Sequence, residues 1–252
     1  MQTPSICRVG TTPAVYAAAE HLRQRGFTIT HIPGTDTRHV LLDVPSFDPS
    51  GNLRSGEPLQ SLLTRLPSGA TLYGGNFGTR LPDHFRGVDL LQQEDYLAQN
   101  AAITAECTLK IALPKLISAF SDTPTLIIGW GRIGKCLSRL LRSLGFPVTV
   151  SARKESDRSI AQALGYRSVD ISESGILPDR YRMIINTVPH PILDVKSRLP
   201  SSQCLIIDLA SRQGITGEDV LWATGLPGVL APEASGVLIG NTVLKLWKED
   251  NQ

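Results

Sequence analysis

The sequence predicts an α/β protein: a doubly wound Rossmann domain in the second half and a smaller flavodoxin-like α/β domain in the first. Three observations carry this. From about Thr125 onward short apolar runs alternate with amphipathic segments, the pattern of parallel strands covered by helices on both faces. A glycine-rich turn, Gly129 to Gly134, stands between the first of those runs and the first amphipathic segment. The region before Thr125 repeats the alternation more loosely.

In the first half the strand candidates are Ile6–Val9, Thr28–Ile32, Val40–Val44 and Thr71–Tyr73. Pro13–Arg25 and Pro58–Leu66 read as helices, and Ser46–Glu57, rich in Ser, Pro, Gly and Asp, as a long loop. A helix from about Asp95 to Phe120 is expected to lead into the second domain with a kink at Pro114. Ser121–Pro124 is the natural boundary, giving domains 1–121 and 122–252.

The second half opens with the strand Thr125–Ile128. A helix follows in which Ile133, Cys136, Leu137, Leu140, Leu141 and Leu144 share one face, and Gly145 and Pro147 end it. Val148–Val150 is the next strand, and Ser156 is the expected cap of a short helix ending at Gly165. Met183–Ile185, Cys204–Ile207 and, more weakly, Val220–Trp222 complete the strands. A last helix, about 237–247, is placed to pack back on the first domain.

Composition narrows the function classes. Of the 252 residues, 41% are hydrophobic and 19% charged, enough for a full core. The formal charge is +2, and no basic tract argues for nucleic acid. Cys7, Cys107, Cys136 and Cys204 lie far apart, which favours reduced thiols over a disulfide framework or a zinc site. No signal-like N-terminus and no run of 18 apolar residues is present, so a cytoplasmic protein without a membrane partner is expected.

Gly129-Trp130-Gly131-Arg132-Ile133-Gly134 is a G-x-G-x-x-G that follows a strand and opens a helix. The first glycine makes the turn, the second admits a pyrophosphate to the backbone, and the third lets helix and strand pack closely. The helix N-terminus offers N–H groups to the phosphates. An NAD site places an acid about 20 residues on. Here the second strand ends in Ser151-Ala152-Arg153-Lys154, with no acid before Glu155. A hydroxyl and two cations suit the 2′-phosphate of NADP. Asn186, Thr187, Val188 and Pro189 follow the fourth Rossmann strand, where a nicotinamide would lie.

These motifs resemble the A subunits of dipicolinate synthase, a bacterial sporulation enzyme. The likeness rests on Gly129-x-Gly131-Arg132-x-Gly134, Ser151-Ala152-Arg153, Ile185-Asn186-Thr187-Val188-Pro189, Asp208-Leu209-Ala210-Ser211 and Gly225-Leu226-Pro227-Gly228-x-x-Ala231-Pro232. Asn100-Ala101-x-x-Thr104-Ala105-Glu106 matches more thinly. The resemblance implies a two-domain fold and NADP. It also implies oxidation of a dihydrodipicolinate-type dicarboxylate, derived from 4-hydroxy-tetrahydrodipicolinate, to dipicolinate. The partner it implies is a flavoprotein-like B subunit. Homo-oligomerisation stays open. Two departures stand out: Cys107 replaces a common glycine, and Gln213-Gly214 replaces a Pro-Gly-Gly-like turn.

The catalytic candidates are Ser211 and Arg212, at a strand end, for a substrate carboxylate, and Asn76, with Arg80 nearby, on a glycine-rich turn. Glu106 belongs to the family motif. Its helical position sets it off the face shared by Asn100, Thr104 and Cys107, and a Glu106–Lys110 ion pair at i, i+4 is the simpler expectation. His190 reads as a loop histidine. The alternatives are a shikimate-dehydrogenase-like reductase and an assembly subunit that binds NADP without catalysis. No lysine stands near Asn76 or Asn100 for the Lys/Asp pair that the reductase would need.

Overall fold

A computed structural model describes residues 4–171, 180–195 and 204–250. Its contacts form two units, Met1–Ile103 with Pro227–Gln252, and Thr104–Leu226.

The first unit is built on five parallel strands, β1 (Ser5–Arg8), β2 (Thr28–Thr30), β3 (His39–Leu41), β4 (Thr71–Gly74) and β5 (Arg86–Asp89), in the order β2-β1-β3-β4-β5. That is the flavodoxin-like order. β5 escapes a sequence reading because Arg-Gly-Val-Asp carries one apolar residue. It forms by pairing with β4, and only Val88 is buried. Helix α1 (Pro13–Gln24) buries Ala14, Val15, Ala18, Ala19 and Leu22, and α2 (Leu59–Leu63) buries Leu62 and Leu63.

The stretch from Ser46 to Glu57 folds on itself. Phe47 and Leu53 form an antiparallel bridge, and the Asp48 carboxylate accepts from the Ser50 and Asn52 amides at 2.9 and 3.1 Å. Helix α3 (Glu94–Ala112) does not kink at Pro114 and continue. It stops at Ala112, and Pro114 sits in a 3₁₀ turn, Leu113–Lys115. A helix-interior proline would cost a hydrogen bond and clash with the preceding turn.

The second unit carries six parallel strands: β6 (Thr125–Ile128), β7 (Val148–Ala152), β8 (Arg167–Asp170), β9 (Met183–Asn186), β11 (Leu205–Asp208) and β13 (Val220–Trp222). Their order, β13-β11-β9-β6-β7-β8, is that of a doubly wound Rossmann sheet. The short strands β10 (Leu193–Asp194) and β12 (Ile215–Thr216) pair separately. Helix α4 (Arg132–Ser143) follows β6, and α5 (Glu155–Ala163) follows β7. Lys154, not Ser156, is the N-cap of α5, since helical geometry begins one residue later at Glu155. β8 is a second strand that the pattern hid: it is an edge strand whose three polar residues and Val169 all keep exposed surface.

The chain closes with α6 (Leu226–Leu230) and α7 (Pro232–Asp250). Helix α7 packs against α1 by apposing small residues. A Cβ at Gly236 would lie 2.4 Å from the Ala17 Cβ, and one at Gly240 would lie 2.8 Å from the His21 ring. Leu238, Ile239 and Val243 of α7 share a core with Val15, Ala18 and Leu22. Lys245 and Asp95 add an exposed ion pair at 2.7 Å, which contributes at most about 1 kcal/mol. Among the described residues, no helix is long and apolar enough to cross a membrane.

Candidate nucleotide-binding site

The strand order of the second unit reverses between β6 and β9, so a crevice is expected beyond their carboxyl ends. The turn Gly129–Gly134 lies there, and each glycine has a different geometry. Gly129 has φ +104°, and a Cβ on it would fall 2.4 Å from Thr187 Oγ1. A Cβ on Gly134 would come within 2.0 Å of the Gly129 carbonyl oxygen, so helix and turn touch through backbone alone. Gly131, the N-cap of α4, is the opposite case: nothing lies within 4 Å of its Cβ position. The space required for a pyrophosphate is therefore open at the second glycine and closed at the third.

A cavity of about 650 Å³ adjoins this turn. It brings together six of the expected cofactor contacts: Gly129, Trp130, Ser151, Arg153, Lys154 and Val188. Ser151 and Trp130 are buried, and their Oγ and Nε1 atoms have no hydrogen-bond partner among the described residues. Arg153 and Lys154 are exposed at the start of α5. Trp130 is held by an edge contact with Tyr166, ring centroids 5.5 Å apart.

Arg132 and Ile133 form the first turn of α4, whose N–H groups have no carbonyl to accept them within the helix. Asn186 and Thr187 stand beside the cavity without lining it, because their side chains are committed to the scaffold. The Asn186 carboxamide donates to Asp208 at 3.0 Å and to the Val188 carbonyl at 3.1 Å, and accepts from the Val188 amide at 3.0 Å. Thr187 donates to the Ile128 carbonyl at 2.9 Å, which fixes it against Gly129. Pro189 also lies outside the lining.

Three features of the site go beyond the sequence pattern. Asp157 lines the cavity, in the first turn of α5 and two residues beyond Glu155. His190, with Pro191 and Ile192, forms another wall, so the loop histidine belongs to the site. The helical period could have flagged Asp157, which shares the first turn of α5 with Lys154. Nothing local marks the wall from His190 to Ile192, which depends on how the loop after β9 folds. The third feature is Asp208, buried at the end of β11. It accepts from Asn186, from the Ala210 amide at 2.9 Å, and from the Gly214 and Ile215 amides at 2.7 and 2.8 Å. One carboxylate thereby organises the loops after both β9 and β11.

No family model matches the chain. The A subunit of dipicolinate synthase from Bacillus subtilis (strain 168) is 30% identical over 173 residues, 64% of this chain and 58% of that protein. The match spans less than two thirds of the relative's length. The structure of the A subunit of dipicolinate synthase from Bacillus halodurans superposes with a TM-score of 0.82 at 22% identity, covering 96% of this chain and 97% of that one. Its counterpart from Bacillus subtilis gives 0.79 at 23% identity, covering 99% and 97%.

This chain resembles the A subunit of dipicolinate synthase. At these structural identities the superpositions establish the fold, and the sequence match carries the resemblance. Against that background, Gln213-Gly214 is a tight fit: a Cβ on Gly214 would lie 2.6 Å from both Asn186 Nδ2 and the His190 carbonyl. Cys107 is buried on α3 with Thr104, while Asn100 is half-buried. Burial pushes the Cys107 thiol above its ordinary range.

Two of the catalytic candidates, Ser211 and Arg212, are exposed on the loop that Asp208 organises and do not line the cavity. Glu106 is exposed on α3. Asn76, in the first unit, adopts φ +64°, a left-handed conformation that asparagine tolerates better than most residues. Its carbonyl accepts from Arg80 at 3.0 Å. The preceding glycines are crowded: a Cβ on Gly74 would lie 2.2 Å from Ser46 Oγ, which itself accepts from the Gly75 amide at 2.9 Å.

Proposed function

We propose that this chain is an NADP-dependent oxidoreductase of the dipicolinate synthase A type. Its substrate would be a dihydrodipicolinate-type ring derived from 4-hydroxy-tetrahydrodipicolinate, and its product aromatic pyridine-2,6-dicarboxylate. The observation that carries the reading is the cavity beside Gly129–Gly134, where an open second glycine, a buried unpartnered hydroxyl and two cations meet. The sequence match to a dipicolinate synthase component adds the substrate class.

The residues fit a dinucleotide. Gly131 and the first turn of α4 would receive the pyrophosphate, and Ser151, Arg153 and Lys154 the 2′-phosphate. When bound, the oxidised nicotinamide supplies the acceptor for one hydride. Loss of that hydride and of one ring proton converts the dihydro ring to the aromatic product. Arg212 and Ser211 would hold a substrate carboxylate from the loop after β11. Asn186, Thr187 and Asp208 hold the loops around the cofactor rather than touching the reacting atoms. A flavoprotein-like B subunit, cytoplasmic location and a role in sporulation belong to the same reading.

The competing reading is a non-catalytic subunit that binds NADP. It is favoured by one observation: among the described residues, Ser211, Arg212 and Glu106 have no hydrogen bond or ion pair holding their side chains. Ultraviolet detection of dipicolinate decides between them, with the unstable substrate generated in place by the lysine-pathway aldol enzyme. Aromatic product with equimolar NADPH from the chain alone supports catalysis. Tight NADP binding without product, with or without the B subunit, overturns it.

A further inference from the structure

The turn that carries Arg153 and Lys154 is braced from behind. Arg158, one turn into α5, donates through Nη1 to the Ala152 carbonyl at 2.9 Å and to the Arg153 carbonyl at 2.7 Å. The same guanidinium forms an ion pair with Asp170, and both side chains are mostly buried. Asp170 ends β8 and pairs in register with Ala152 at the end of β7. One planar cation thus ties together the end of β7, the start of α5 and the end of β8. Arg158 does not line the nucleotide cavity, whereas Arg153, Lys154 and Asp157 do.

The chemistry follows from where the carbonyls go. A phosphate dianion is repelled by carbonyl oxygens and by a carboxylate, and Asp157 already places a carboxylate on this wall. Arg158 engages two carbonyls at the point where a 2′-phosphate would arrive and fixes the backbone bearing the two cations. Its fork, anchored by Asp170, suits this better than a flexible ammonium. We propose that Arg158, braced by Asp170, is a positioning residue that sets preference for NADP over NAD without touching either coenzyme. The proposal rests on reading this cavity as the nucleotide site.

The test measures dissociation constants of NADPH and NADH on the full chain by calorimetry, for the wild type, Arg158→Met, Arg158→Lys and Asp170→Asn, with melting curves for each. Arg158→Met should weaken NADPH about tenfold, as loss of charge-assisted bonds implies, and NADH less than about twofold. Arg158→Lys should recover part of the NADPH affinity, and Asp170→Asn should move the ratio the same way by a smaller factor. If Arg158→Met does not fold, the ratio in the other two variants decides. A wild type that prefers NADPH, with a ratio unmoved by these changes, overturns the brace and leaves the cofactor reading standing. A wild type that binds neither coenzyme, or prefers NADH, overturns both.

Discussion

Two turns in this chain have the same place in their sheets and opposite fates. In the first unit β1 passes through Gly10-Thr11-Thr12 into α1, and in the second β6 passes through Gly129-Trp130-Gly131 into α4; both helices have 12 residues. At the first turn the chain supplies its own anion. The buried Asp43 carboxylate accepts from the Thr11 amide at 3.0 and 3.1 Å, from the Thr12 amide at 2.9 Å and from the Thr12 hydroxyl at 2.6 Å. A Cβ on Gly10 would lie 2.8 Å from the Asp43 amide, so the strand-to-helix passage is packed shut. Neither helix carries a side-chain cap or an acid in its first turn, but at the second turn the Gly131 face is open. A helix N-terminus attracts an anion in either case. The protein satisfies one from within and leaves the other to a ligand.

The largest effect should come from crowding the glycine turn of the second unit. Gly134→Ala forces a methyl against the Gly129 carbonyl, a backbone group that cannot rotate away. We expect a loss of stability on the order of 4 kcal/mol or more and no measurable NADPH binding. Gly131→Ala, where the methyl meets open space, should melt within a few degrees of wild type yet bind the coenzyme more weakly. Melting curves paired with calorimetry separate the two, and wild-type affinity in Gly134→Ala would sink the assignment.

The mirror experiment empties the filled turn. Asp43→Ala strands two part-buried amides and a hydroxyl, at a cost of about 2 kcal/mol. It should leave the NADPH dissociation constant within about twofold, since sites without shared partners behave nearly independently. Sulfate in the buffer should recover part of the lost stability by occupying the vacated position. Urea unfolding with and without sulfate checks this, and an equal loss of coenzyme affinity would break the contrast between the turns.

The two halves also differ in how much the sequence discloses. In the second unit the apolar runs coincide with β6, β9 and β11 to within a residue, because strands buried on both faces must be continuously apolar. β5 and β8 left no such trace: Arg-Gly-Val-Asp and Arg-Ser-Val-Asp are partly exposed edge strands, specified by the neighbours they pair with. The site divides in the same way. The glycines and the cations Arg153 and Lys154 are legible from spacing, because a local turn fixes them. The commitment of Asn186 to Asp208, 22 residues away, and the wall at His190 depend on tertiary packing and cannot be read from their neighbours.

A smaller effect tests the charge pattern at the open site. Arg153→Asp replaces a cation on the cavity wall with a carboxylate beside Asp157. NADPH affinity should fall by roughly ten- to thirtyfold, about 1.4–2 kcal/mol, and NADH affinity should hold or improve. Stability should change little, since Arg153 is exposed. Unchanged NADPH affinity would leave Lys154 and Ser151 as the phosphate contacts and remove Arg153 from the site.

The smallest effect is a pH response that the first unit should carry. His39, at the start of β3, is partly buried against Tyr73, ring centroids 6.0 Å apart, and its Nδ1 has no partner among the described residues. Burial holds its imidazole below the ordinary value of 6.5, with Asp250 pulling weakly upward and Arg86 weakly downward. Below that value the unfolded chain takes up a proton that the folded chain resists. The contribution is therefore fully present above pH 6.5 and is lost as pH falls from there toward the lowered folded value. Urea midpoints measured between about pH 5 and 7 should decline toward the acid end in the wild type. The decline should be shallower in His39→Phe, which keeps the aromatic packing and removes the titrating ring. NADPH affinity should not track this difference between the two proteins, since the proposed coenzyme site lies in the other unit. Identical pH slopes for both would place the acid sensitivity elsewhere and remove His39 as its source.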